Sequence, residues 1–130
     1  MTPEAGLFLA KARRLLVEAE VMLTTLHYNE AAGRTANLAG FHAAQAFISE
    51  RTGRAVRTHG GVRSEFHRLI RGDTRFDDTL RHFLGATYNL KAIADYETGA
   101  GSDISTERAI QAIEEAKLLV TKVADVLGAA

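Results

Sequence analysis

The stretch "LAKARRLLVEAEVMLTTLHYNE", residues 9–30, decides the fold. Leu9, Ala12, Leu16, Ala19, Leu23 and Leu26 recur at steps of three and four. That spacing lays them along one face of an α-helix. The pattern stops near His27, and Asn29 followed by Glu30 reads as the capped start of a second helix. The connection is about two residues, which makes the two helices antiparallel neighbours.

The rest of the chain follows the same period. Thr2 can cap the first helix, with Pro3 at its first position and Glu4 in its first turn. The second helix carries Ala32, Ala36, Ala39, Ala43, Ala46 and Phe47 and should end at Gly53. Its alanine-rich face lets a neighbouring helix approach closely. Thr58 caps a short third helix through Val62, Phe66, Leu69 and Ile70, stopped by Gly72. A fourth runs from about Phe76 to Glu97, with Leu80, Phe83, Leu84, Leu90 and Ile93 inward and Gly99 as its stop. "TGAGSD" reads as a loop, and Ser105 caps a fifth helix with a stripe of Ala109, Ile113, Ala116, Val120, Val123 and Leu127. Nothing alternates with period two over strand length. The expectation is an all-α, up-and-down antiparallel helical bundle of four long helices plus one short helix, forming a single domain over residues 1–130.

Composition narrows the chemistry. The 130 residues include no cysteine, which rules out disulfides, thiolate metal sites and a cysteine nucleophile. No apolar run approaches the roughly 20 residues that span a bilayer, and no signal peptide is apparent. A cytoplasmic location is therefore expected, with no membrane contact. Formal net charge is zero but unevenly spread. Residues 51–75 hold seven arginines against Glu65 and Asp73, a local excess of +5. Residues 76–130 hold five basic and nine acidic side chains, a local excess of −4. Such asymmetry fits either self-complementarity, a polyanion site, or a solvated arginine-rich connection.

Three groups could carry chemistry. In "RAVRTHGGVRSEFH", capping by Thr58 puts His59, Gly60 and Gly61 at a helix N-terminus, where backbone N–H groups favour an anion. Arg54, Arg57, His59 and Arg63 are the candidate phosphate ligands, unless His59 only packs its ring on a neighbour. His42, in the alanine-rich second helix, is either a catalyst or a hydrogen-bonded core residue. Lys91 and Asp95 are four apart and share a helix face with Tyr88, while Tyr96 lies about 140° away from Lys91. A Lys–Asp surface pair is the plainer reading of that group. No metal or cofactor is expected: there is no His-Glu-x-x-His pair, no phosphate-cradling glycine loop after a strand and no Gly-x-Ser-x-Gly elbow.

Taken together, these motifs resemble the HEPN superfamily. The Phe-His-Ala-Ala run matches Phe41 to Ala44, and Thr-His-x-Gly-Val with a later Phe matches Thr58, His59, Gly61, Val62 and Phe66. The Arg-x-x-Ala-Asp-Tyr end of the fourth helix matches Lys91, Ala94, Asp95 and Tyr96. The resemblance covers nearly the whole chain and is closest to small stand-alone prokaryotic members. It implies a helical bundle, usually a homodimer, and in many members a metal-independent endoribonuclease or toxin. It also implies a nucleotidyltransferase partner able to modify Tyr96. The family's catalytic Arg and His or Tyr fall on Lys91 and Tyr96. Lysine lacks the bidentate fork of arginine, and tyrosine is a poor base at neutral pH. Three readings follow: a nucleotide- or RNA-phosphate-binding protein with a weakened ribonuclease motif, with Asp95 orienting Lys91; an active metal-independent endoribonuclease; or a non-catalytic dimeric interaction module.

Overall fold

The computed structural model describes residues 1–96 and 104–129, with side chains excepted over residues 92–96. Five helices run in the order α1 (Pro3–Thr24), α2 (Asn29–Thr52), α3 (His59–Ile70), α4 (Asp78–Tyr96) and α5 (Thr106–Leu127). Among the described residues there is no strand.

Side-chain caps start every helix but α2. Thr2, Thr58 and Ser105 each accept a hydrogen bond from the backbone N–H three residues on. The N–H of Leu80 donates to Asp77 Oδ1 at 2.9 Å, so α4 begins two residues later than Phe76 suggests. Phe76 is fully buried, but it precedes the helix.

The first connection differs from its sequence reading. The helix ends at Thr24, whose hydroxyl donates to Glu20 O, and His27 takes a left-handed φ of 57°. Leu26 thus falls outside the buried stripe and stays exposed. Asn29 is the first residue of α2 rather than its cap. Its amide instead donates to Ile104 O and Thr106 Oγ1, both at 3.1 Å, and ties the start of α2 to the start of α5.

Such pairs fix the helix directions. The N–H of Thr2 donates to Glu50 Oε1, so α1 begins where α2 ends. Along α2, Gly33 faces Leu90, Asn37 bonds Thr87 and Gly40 faces Phe83, so α4 descends as α2 rises. Consecutive long helices therefore alternate, and α2 and α5 run parallel. The bundle is up-and-down.

At the centre lies α2. Fifteen of its 24 residues are buried, too many for one face, so it is covered by neighbours on several sides. The remaining helices pack around it, and α3 is anchored by three rings. Phe47, Phe66 and Phe76 meet edge to face with centroids 5.5–5.7 Å apart, a favoured aromatic geometry.

Two polar residues of α2 hold the α2–α3 connection. Gln45 Nε2 donates to Val56 O at 2.8 Å. Its Oε1 must then accept from His42 Nδ1, 2.6 Å away, which assigns the ring proton to Nδ1. Burial pushes the pKa of His42 below its ordinary value of 6.5, although the Gln45 bond opposes the shift. The folded chain thus binds this proton less readily than the unfolded chain.

The packing makes two outcomes testable. A Cβ at Gly40 would sit 2.2 Å from a ring carbon of Phe83, which is itself buried. Overpacking costs about 1–3 kcal/mol and here exceeds the helix-propensity gain of about 1 kcal/mol. Gly40→Ala should therefore lower the urea midpoint, while Gly60→Ala, with nothing within 4 Å, should not. For His42, the unfolded chain carries more protons between the two pKa values, so stability falls as pH drops below about 6.5. The pH dependence of unfolding in the parent chain minus that in His42→Asn should show this fall; superimposable curves would refute it.

Candidate functional site

Two hollows adjoin on the face formed by α2, α3 and α4. Arg63 borders both.

One hollow is a cleft of about 170 Å³, lined among others by Asn37, Phe41, His59, Gly60, Arg63 and Tyr88. The Phe41 and His59 rings stack at 4.3 Å, and Tyr88 stands 5.5 Å from His59. The wall is aromatic because α2 supplies Phe41, the first turn of α3 supplies His59 and the exposed side of α4 supplies Tyr88.

The other hollow is a wider groove of about 420 Å³ between α3 and α4. Arg63, His67, Arg68 and Arg71 line it from α3 and its C-terminus, and Arg81 and His82 line it from α4. The His67 and His82 ring centroids are 6.4 Å apart. Arg63 lies over Gly85 of α4, where its Cδ would be in ordinary contact, 3.8 Å, with a Cβ. Two of the cations are paired, Arg68 with Glu65 and Arg81 with Asp78. Among the described residues, Arg63 and Arg71 have no carboxylate within ion-pair distance. The groove therefore keeps a positive excess, which attracts anions.

The candidate phosphate ligands divide. Arg63 and His59 line the hollows. Arg54 and Arg57 are exposed on the connection before α3 and line neither. At the helix N-terminus, Gly61 does not offer its N–H to a ligand. That group donates to Thr58 Oγ1, and a Cβ on Gly61 would press on Thr58 and Val56. Gly60 borders the cleft and has open space at its Cβ position. His42 is tied to Gln45 and lies outside both hollows.

Lys91 is half-buried on α4, one turn beyond Tyr88. The side chains of Asp95 and Tyr96 lie outside the described residues, so the expected Lys91–Asp95 pair and the Tyr96 position rest on the helical backbone alone. The structure adds Asn37 to the cleft and Arg71, Arg81 and His82 to the groove, none of which sequence reasoning singled out as a site residue. Asn37 had one visible signal, an amide flanked by Gly33, Ala36 and Gly40 on an otherwise small and apolar face.

Among the described residues, no three His, Asp or Glu side chains converge as metal ligands, and no helix is long and apolar enough to cross a membrane. No curated protein matches the chain. The family model of the HEPN domain, however, matches residues 5–126 and so spans all five helices except Pro3 and Glu4 of α1 and Leu127 of α5. With the bundle, the helix order and that match in agreement, the chain belongs to the HEPN domain family.

Proposed function

We propose that this protein binds the phosphates of RNA or of a nucleotide along the α3–α4 groove. The observation that carries the reading is the convergence of Arg63, Arg68, Arg71 and Arg81 on one hollow, with only Glu65 and Asp78 as their counter-ions among the described residues. Arginine suits this role because its planar fork matches phosphate oxygens. The groove is open, so it can admit a strand of backbone as well as the phosphate of a free nucleotide.

Lys91, Asp95 and Tyr96 mark the position of the family's nuclease motif in weakened form. Lys91 keeps the positive charge of the motif, and Tyr96 replaces a better base. The protein works as a homodimer, a reading supported by exposed Leu7, Val17 and Val21 on α1 and Ile110 and Leu118 on α5. A nucleotidyltransferase partner, in a toxin-type pair, is what the family resemblance adds; Tyr96 is the residue it would modify.

Titrating the purified protein with labelled single-stranded RNA in EDTA, over a salt series, tests the reading. Binding should weaken steeply with salt. Arg63→Ala and Arg71→Ala each remove one phosphate partner, so each should reduce the log–log slope by about 0.7. Intact RNA is expected throughout. Cleavage abolished by Lys91→Ala would instead identify an active ribonuclease, and no binding at low salt would leave only an interaction module.

A further inference from the structure

The cleft beside the groove is built differently from a phosphate site. Its walls are flat rings, and on its lining lies a buried amide with an unused acceptor. Asn37 is 1% exposed. Its Nδ2 donates to Thr87 Oγ1 at 2.8 Å, and the Thr87 hydroxyl donates its one proton to Phe83 O at 2.8 Å. Thr87 Oγ1 can therefore only accept from Asn37, which fixes the orientation of the amide. The opposite atom, Asn37 Oδ1, is buried with no hydrogen-bond partner. Buried carbonyl oxygens are rarely left so, because an unmade bond costs about 1–3 kcal/mol.

We propose that the cleft takes one nucleobase, stacked against the Phe41, His59 and Tyr88 rings, and that Asn37 Oδ1 accepts an N–H from its edge. This rests on the phosphate-binding reading above, because Arg63, shared by cleft and groove, would hold the phosphate of the same nucleotide. Size fits one ring system. The cleft's 170 Å³ is close to a cavity of about 150 Å³ that admits a single benzene. A base in a duplex is stacked and paired and cannot enter; a free nucleotide or an unpaired base of a strand can. Each common base carries an N–H on its pairing edge, so the acceptor supplies orientation and the cleft shape supplies the choice among bases.

The test compares the four ribonucleoside 5′-monophosphates with ribose 5-phosphate, which has the phosphate and no base, by calorimetry at low salt. At least one nucleotide should bind about tenfold more tightly than ribose 5-phosphate, the scale of one stacked base. Tyr88→Ala, at a partly exposed position, should erase that advantage and leave ribose 5-phosphate binding unchanged. Arg63→Ala should weaken both compounds. The role of Asn37 is read without a core mutation, from an analogue of the best binder whose pairing edge lacks the N–H; its affinity should also be about tenfold lower. Single-stranded RNA binding more tightly than its duplex would identify a strand as the source of the base, and equal binding a free nucleotide. Equal affinity for nucleotides and ribose 5-phosphate overturns the base site while the groove reading stands. An analogue that binds as well as its parent overturns the part given to Asn37. Failure of every nucleotide, of ribose 5-phosphate and of RNA to bind removes both readings.

Discussion

The close approach of α4 to α2 is the constraint on which the rest of the bundle depends. It exists because α2 carries Gly40 where α4 carries Phe83. The Phe83 ring occupies the space that a methyl group would need at position 40. Small residues on one helix and large ones on the next let the axes come near while keeping interior density. From that approach follows the placement of Thr87 one turn further along α4, and of Tyr88 beside it. The cleft lies beside this seam, where α2 and α4 meet the first turn of α3.

Electrostatics then acts on a shape that packing has already chosen. The ion pairs around the basic region, Arg68 with Glu65, Arg75 with Asp73 and Arg81 with Asp78, are local and solvent-accessible. Pairs of that kind contribute about 0–1 kcal/mol each, so they do not hold the fold. Their effect is on the field. They occupy Arg68 and Arg75 among the seven arginines of residues 51–75, and Arg81 beyond them, and leave Arg63 and Arg71 to dominate the groove. The acids that balance the whole chain lie mostly beyond residue 76. Zero net charge therefore coexists with a strongly basic face, which bulk composition alone would hide.

Much of this was legible in the sequence, and the rest had a definite reason for being hidden. The helices were legible because burial imposes a period of 3.6, and Leu9, Ala12, Leu16 and Ala19 obey it at 0–9% exposure. Thr2, Thr58 and Ser105 were legible as caps because capping is a three-residue affair. Leu26 and Asn29 misled because periodicity continues past a helix end, and because an asparagine can use its amide across the bundle instead of on its own backbone. The groove was half legible. Arg63, His67 and Arg71 share a stripe at four-residue spacing, but Arg54 and Arg57 were grouped with Arg63 by closeness along the chain, which is not closeness in space. The Asn37–Thr87 bond joins residues 50 apart, and no local pattern announces it.

That bond also bears on why the site lies where it does. Two apolar side chains at positions 37 and 87 would fill the seam without leaving any polar atom unmatched. The Asn37–Thr87 hydrogen bond contributes a net of about 1 kcal/mol, and the unmatched Oδ1 costs about as much or more. The polar pair therefore gives the fold little or nothing that a hydrophobic pair would not. It sits, moreover, where α2 opens into an aromatic cleft. Local rules of stability are broken most often where a ligand restores the balance, and a donor entering the cleft would do so here. The same logic separates Asn37 from Gln45, the other buried amide of α2. Both groups of Gln45 are used by His42 and Val56, so it serves the fold alone. Asn37 is half used, and it is the one of the two that lines the cleft.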